Sequence, residues 1–549
     1  MPYVQTPEPV PRSFLKRILF PLSVVIVFGS IFASPWISHA FEYDTDEAIP
    51  FLMFSQLALP IGVILLTIWW LFFSGLSWAV RLGVFFVLLI AGAAGSFFSI
   101  RKTEMTSHAY GIMPRFHFVW EPEAEELHKK HLEQEVAKKA DDLKPIDATV
   151  GKEDFANFRG PNFDGKINHL RLETDWTAHP PKVLWKQPCP GGYSGVAVAG
   201  NIAVTMQQRG EQEVVVCYDR ETGRERWAHA YDAFHKDVMG HGPRTTPTIH
   251  DGHIYTLGAR GHLHCLTVEG KPVWSINIIE DCRAKAPPEW GLSGSPLIVG
   301  DLVVVNAGTN SLDKADAAMV AYRQKDKKRM WSVGNRPAGY SSPQLASLGG
   351  MQQVLLFDGA ALAGYDPKTG KEMWTVPWVT KMDMNMMQPI VLPENRIFIS
   401  SELDNGCAML KINPPAKKGD ATWTVETLWK NKNLAARFAN PVSDGKHIYG
   451  LQYLAGELRC LDVESGSLVW RGERQGPGQM LLVGDVLLVV NGNDGVVTLF
   501  ATGTSEPKEL TRHQVWEKND KTWNTPAIAG DQLFIRNQKE IVCLKLPTK

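Results

Sequence analysis

Cysteine is scarce and never clustered. Seven occur in 549 residues, with no CxxC, no CxxCH and no adjacent pair. That excludes c-type haem attachment, a zinc ribbon and a redox dithiol. An excess of one charge is missing as well. Lys and Arg total 57 against 58 Asp and Glu, a net charge of −1, so no basic surplus points to nucleic acid. No P-loop, nucleophile elbow, HExxH or strand-turn-helix GxGxxG occurs, which removes the common nucleotide, hydrolase and zinc-peptidase signatures.

Charge is also absent from three long apolar runs, at about 18–36, 50–73 and 82–100. Each is long enough to cross a bilayer, and a charge at mid-membrane is expensive, so residues 1–100 read as an α-helical transmembrane region. Arg12, Lys16 and Arg17 place the N-terminus inside, the acidic loop Phe41–Ala48 goes outside, and Arg81 returns inside. Everything after the third span is then expected on the extracytoplasmic side of the cell (inner) membrane. Ser38-His39-Ala40 resembles a cleavage site, but loss of the first span leaves that outcome unchanged. Residues 101–154 read as a juxtamembrane segment and a charged helical spacer. Within it, Glu121 to Asp142 allows i,i+4 pairs such as Glu126 with Lys130, as on a solvated helix.

From Phe155 onward the chain repeats. CYDRETGRERW (Cys217–Trp227), GYDPKTGKEMW (Gly364–Trp374) and CLDVESGSLVW (Cys460–Trp470) share one plan. A small residue ends a strand, a turn runs from Asp to Gly, and a short strand carries a Trp. Asp can bond its own backbone and Gly supplies positive φ. Anchoring Trp residues at 185, 227, 274, 331, 374, 429, 470 and 516 are spaced by 41 to 57 residues. That period, with four strands per unit, belongs to β-propeller blades. Ser/Thr/Asn-Pro pairs, such as Thr246-Pro247, Ser295-Pro296, Asn440-Pro441 and Thr525-Pro526, open the units.

Eight such sets predict an all-β, eight-bladed propeller of four-stranded antiparallel blades over 155–549. KVLWKQ (Lys182–Gln187) has a Trp strand without a set, and IVCLKL (Ile541–Leu546) ends a set without a Trp strand. Pairing them closes the ring and leaves no raw edge. The recurrent Trp residues are expected to pack blade on blade. Cys217, Cys265, Cys460 and Cys543 occupy one small-residue slot and read as buried free thiols.

The repeats match A-x-D-x-x-x-G-K-x-x-W, the tryptophan-docking motif of pyrroloquinoline quinone (PQQ) proteins. Gly364 stands for the first Ala, and Cys217 and Arg224 fill two slots of another copy. From Phe155 to Lys549 the chain resembles the quinoprotein-like eight-bladed propellers. These include PQQ alcohol dehydrogenases and cofactor-free relatives such as the BamB-like propeller lipoprotein of the outer-membrane β-barrel assembly machinery. FRGPNFDG, GPRTTPT and GYSSP look like the membrane-anchored, cofactor-free kind. In the dehydrogenases the resemblance implies a quinone stacked on the ring axis between a Trp and a vicinal disulfide, beside calcium and a catalytic Asp. The vicinal cysteines are missing here.

The positions entering each inner strand would line the axial mouth: Tyr193, Arg244, Trp290, Tyr340, Asn385, Asn440, Gln479 and Trp523. They suit a flat or anionic ligand held by stacking and hydrogen bonds. Asp383 and Glu289 are the carboxylates expected nearby, too few for a calcium cage and a base. No catalytic residue, metal site, PQQ or calcium is therefore expected. The expected role is an integral-membrane binding or scaffold module for a protein or cell-envelope partner; the alternative is a PQQ-dependent or degenerate alcohol or sugar dehydrogenase. One of the long intervals, Trp274–Trp331 or Trp374–Trp429, is expected on the partner face. His235, His241, His250, His253, His262 and His264 read as a solvated edge, Met382, Met384, Met386 and Met387 as packing, and Arg159 as part of an ordered lead-in loop.

Overall fold

The computed structural model describes residues 19–30, 48–108, 111–121, 123–136, 143–309, 317–402, 405–415, 422–453, 456–516 and 521–549. It divides into two compact units, Met1–Glu121 and Pro122–Lys549.

The first unit is helical, with α1 at Leu19–Ser30, α2 at Ala48–Phe73 and α3 at Trp78–Ser99. Among the described residues one helix, α3, is long and apolar enough to cross a membrane, with 22 residues at mean hydropathy 2.1. It starts four residues earlier than the apolar run suggests. Arg81 sits in its first turn, donates to the Leu71 carbonyl at 2.7 Å and lies 5.2 Å from the Trp78 ring centre. A hairpin, Ile100–His108 with Gly111–Phe118, follows at once, where the sequence promised only a juxtamembrane segment. Arg12, Lys16, Arg17, the 38–40 cleavage-like triplet and residues 41–47 of the acidic loop lie outside the described residues.

The second unit holds eight four-stranded antiparallel blades, joined in one of them by a short extra strand. Blade 1 shows the plan, from inside out: Ala197–Ala199, Ile202–Arg209, Gln212–Asp219 and Glu225–Asp232. Blade 8 takes its outer strand from the other end of the sequence. Lys182–Pro188 pairs antiparallel with Glu540–Lys545, so the ring closes as the unpaired strands predict. The tail is fastened further by a bridge between Leu172 and Thr548 and by Glu173 N–H donating to the Pro547 carbonyl at 2.9 Å.

The repeat is explained by what each residue touches. The small-residue slot lies directly across from the Trp: Cys217 faces Trp227, Cys265 Trp274, Ala321 Trp331, Gly364 Trp374, Cys460 Trp470 and Cys543 Trp185. All seven cysteines are buried and free. Six Trp indoles donate to a backbone carbonyl in the next blade, for example Trp185 to Arg220 at 2.9 Å and Trp429 to Val463 at 3.0 Å. Trp374 instead bonds Gln353 of its own blade at 2.7 Å.

The turn glycine serves twice. Gly466 has φ +67°, and a Cβ there would meet the Trp429 ring at 2.5 Å. Gly223, at φ +71°, lies against the Trp185 ring in the same way. The Asp to Gly spacing therefore sets both a left-handed turn and a floor for the neighbouring blade's indole.

Blade 7 departs from the plan. Leu499 faces Thr511 there, and Trp516 comes after the strand Glu509–Gln514. Trp516 is buried but is not an anchor of the repeat. The 41–57-residue spacing hid this, because a Trp a few residues late still fits it.

A second fastening explains the Ser/Thr/Asn-Pro pairs. Before four of the prolines, the preceding residue offers its side chain to a backbone N–H of the preceding blade. Thr246 N–H donates to Ser295 Oγ at 2.9 Å, Ser295 N–H to Ser342 Oγ at 2.9 Å, Ser342 N–H to Gln388 Oε1 at 3.2 Å and Gln388 N–H to Asn440 Oδ1 at 2.7 Å. These bonds form an inner girdle over five consecutive blades. Each satisfies a buried amide that a proline-interrupted strand could not pair.

The lead-in segment threads across the axis. Phe155 bridges Val198 of blade 1, the Ala156 carbonyl accepts from Ile249 of blade 2, and Lys166–Ile167 adds a parallel strand to blade 7. Arg159, 1 % exposed, donates to the carbonyls of Asp164 and Pro441 at 2.9 Å. Its role is structural, as the lead-in reading expects.

The spacer helix, α4 at Ala124–Val136, is not solvated all round. His128 is 5 % exposed, and its Nε2 lies 4.0 Å from Glu225 of blade 1. Beyond the helix, the Lys144 carbonyl accepts from Arg226 and the Asp147 carbonyl from Asn201, both at 2.8 Å, so this stretch lies along blade 1.

Candidate ligand site at the axial mouth

The segments that enter the inner strands converge on a cavity of about 160 Å³. All eight blades contribute. Seven of the eight expected residues line it: Tyr193, Arg244, Trp290, Tyr340, Asn440, Gln479 and Trp523. Asn385 does not. It is fully buried, and its Nδ2 donates to the Asp358 and Trp378 carbonyls at 2.8 and 2.9 Å. Met386 takes the place of blade 5.

A sharper signal was available. The residue three before each inner-strand proline is Arg244, Ser293, Tyr340, Met386, Phe438 and Trp523, and all six line the cavity. Counting from the proline, rather than choosing the polar or aromatic residue nearby, would have replaced Asn385 by Met386 and found Ser293 and Phe438. Asp237, Met239 and Arg437 come from loops without a register and could not be found that way. Phe158 comes from the lead-in segment.

The walls are aromatic. Trp523 is stacked between Tyr193, with ring centres 5.7 Å apart, and Phe438, at 5.2 Å. Trp290 and Tyr340 pack at 5.3 Å. Cations cap the stack. The Arg244 guanidinium lies 5.8 Å from the Tyr193 ring centre, Arg437 5.1 Å from Phe438, and the Lys521 ammonium 5.0 Å from Trp523. Arg244 donates to Asp237 Oδ2 at 2.8 Å, Gly240 O at 2.7 Å and Gly242 O at 2.8 Å. Arg437 pairs with Glu402 at 3.0 Å. The Arg244 donors are thus largely committed within the protein, and the charge of Arg437 is matched by Glu402. Burial pulls the Arg244 pKa down and pushes the Tyr340 hydroxyl up.

Carboxylates that could hold calcium beside a quinone are scarce at the mouth. Asp237 is the one carboxylate among the lining residues, and Arg244 holds it. Glu289 and Asp383 do not line the cavity but lie near enough for their charges to act on Tyr340, close by as expected. A hard cation needs several oxygen ligands, and this lining, with one arginine-bound carboxylate, does not supply them. Among the described residues no group of three His, Cys, Asp or Glu is placed to hold a metal.

The histidine-rich stretch is a solvated edge only in part, with His250 exposed but His235 and His264 buried. His264 is 6 % exposed and packs 4.3 Å from the Tyr231 ring centre and 5.2 Å from that of His229. Its strand lies under the outer strand of blade 1, which covers the face that alternation placed outside. Met384 and Met387 are buried as packing, while Met382 is exposed.

A family model described as "Outer membrane protein assembly factor BamB" matches residues 211–472 and 375–549, together more than half of the 549 residues. The chain belongs to this BamB family of PQQ-repeat propellers. No curated protein sequence matches it. Among solved structures, BamB from Moraxella catarrhalis is 14 % identical with a TM-score of 0.48, covering 67 % of this chain and 100 % of that one. The quinohemoprotein alcohol dehydrogenase from Comamonas testosteroni is 11 % identical at 0.48, covering 74 % and 83 %. A europium-containing methanol dehydrogenase is 10 % identical at 0.43, covering 72 % and 98 %. Likenesses this low carry no argument about activity, so for this BamB-family chain function must be argued from the site.

Proposed function

We propose that this BamB-family chain is a membrane-tethered propeller that binds a protein or cell-envelope partner on the extracytoplasmic side of the inner membrane and performs no chemistry. The axial mouth is the observation that carries the reading. It offers aromatic walls and backbone-anchored loops, with one carboxylate already bound to arginine. A catalytic centre needs a base near its reacting atom and donors free to act. A recognition surface needs shape and apolar area, which rigid blades supply through their loops. The family description, an assembly factor of outer membrane proteins, favours an envelope protein as the partner. On this reading neither PQQ nor calcium is a resident cofactor.

Two measurements on the full chain test it. After incubation with PQQ and calcium, gel filtration should leave no quinone absorbance with the protein. Retained quinone with dye-linked alcohol oxidation would reverse the choice in favour of a dehydrogenase. Crosslinking in native membranes should give a discrete adduct, and a purely monomeric pattern would count against a partner.

A further inference from the structure

We infer that the axial cavity is a socket for one aromatic side chain presented by a partner polypeptide. This deepens the binding reading above and rests on it. Size comes first. The cavity measures about 160 Å³, and an engineered apolar cavity of about 150 Å³ takes up benzene. One ring fits.

Chemistry selects the same guest. The Tyr193–Trp523–Phe438 stack forms one wall, and the tilted pair Trp290–Tyr340 forms another. Aromatic walls favour an aromatic guest, which can meet ring edges and tilted faces in edge-to-face contact. A free anion is disfavoured, because Asp237 and Glu402 already balance the charges of Arg244 and Arg437. These guanidinia serve as flat, positively charged caps on the ring stack.

Exposed apolar residues at the socket's end of the ring argue for a polypeptide rather than a small molecule. The blade-to-blade links and the turns between second and third strands share the mouth's end of the ring. They expose Val238 (41 %), Val379 (69 %), Met382 (56 %) and Tyr453 (47 %). Met382 and Tyr453 hold these positions with left-handed backbone, φ 59° and 52°. Non-glycine residues adopt that conformation at a cost of about 1–2 kcal/mol, so their outward apolar side chains are held there against local preference. A central pocket with an apolar rim is the layout of a protein hot spot.

The test uses the full chain in lipid nanodiscs and a probe peptide, acetyl-Gly-(4-fluoro-Phe)-Gly-amide, at millimolar concentration. The fluorine resonance should broaden. Unlabelled acetyl-Gly-Phe-Gly-amide should reverse the effect, and the leucine peptide should not. Met386→Trp, which fills the socket from blade 5, should weaken binding about tenfold or more. Ser293→Phe, from blade 3, is the second filling variant, and each is read only with an unchanged thermal midpoint. No broadening, or equal broadening in the filled variants, overturns the socket.

A photocrosslinking residue at Val379, read in native membranes, separates the two levels of the argument. A discrete adduct that Met386→Trp abolishes supports the socket. A discrete adduct that Met386→Trp leaves intact overturns the socket while partner binding stands. No adduct, together with peptide binding, overturns a polypeptide as the source of the ring.

Discussion

Replacing His264 by leucine should make the protein less sensitive to acid, and the size of the change follows from burial. His264 is 6 % exposed, and neither ring nitrogen has a hydrogen-bond partner. Burial, then the neighbouring His229 and His262, push its pKa from 6.5 down to about 3. The imidazole is therefore neutral in the folded protein throughout the mildly acidic range, while the unfolded chain takes up a proton below about pH 6.5. A His with a lowered folded pKa contributes stability that is present above the unfolded pKa and lost as pH falls. Between pH 6.5 and 5 the loss is about 1.6 kcal/mol for this one residue. With about 2 cal/mol/K per residue of unfolding entropy over a domain of this size, it corresponds to about 2 °C in Tm. Buried carboxyls such as Glu213, which burial pushes up, act in the opposite sense. The difference between wild type and His264→Leu cancels them. The assay is the thermal midpoint of both proteins at pH 7.5, 6.5 and 5.0. The gap should move by about 2 °C in favour of the variant on acidification. A gap constant with pH, or one moving against the variant, refutes a neutral buried imidazole at this position.

Gly466→Ala should lower stability by about 3 kcal/mol, since it combines left-handed backbone strain with a Cβ pressed into the Trp429 ring; differential scanning calorimetry reads it, and a loss under 1 kcal/mol contradicts the docking geometry. Ser342→Ala removes one girdle acceptor and leaves the buried Ser295 N–H unpaired, at a cost of about 1–3 kcal/mol. Hydrogen exchange at Ser295 should accelerate more than at distant amides. All seven thiols should resist iodoacetamide in the folded protein and react in denaturant, because each is buried; burial pushes Cys460 and Cys543 up to about 12. Mass spectrometry counts the adducts, and rapid native labelling of Cys460 or Cys543 would contradict the cross-strand pairing with Trp470 and Trp185.

The architecture was readable because a propeller writes the same contacts eight times. Turn chemistry, a small residue across from a Trp, and Ser/Thr/Asn-Pro each leave a local mark. Even the strand exchange was visible, as two strands without partners. What escaped was the contact between marks. Gly466 announces its positive φ but not the indole above it, since that ring belongs to Trp429 of the preceding blade. Trp516 was misread because spacing cannot tell a residue in a strand from one just past it. At the mouth, choosing chemically attractive residues misplaced Asn385, whose amide is consumed by two carbonyls. Asp237 stayed hidden because its importance lies in Arg244, seven residues on, and in the loop fold that joins them. The amphipathicity of α4 was too weak to reveal that His128 is buried.

Closing the last blade with Lys182–Pro188 has a temporal consequence. That strand leaves the ribosome roughly 350 residues before its partner Glu540–Lys545, which at about 5–20 residues per second means a wait on the order of 20–70 s. Throughout that interval the nascent chain carries an unclasped circle with bare strand edges, the kind that recruits other chains. Completion therefore waits for the codons of Glu540–Lys545. A stop codon just upstream of Glu540 would leave almost the whole sequence intact, yet deny the molecule its clasp.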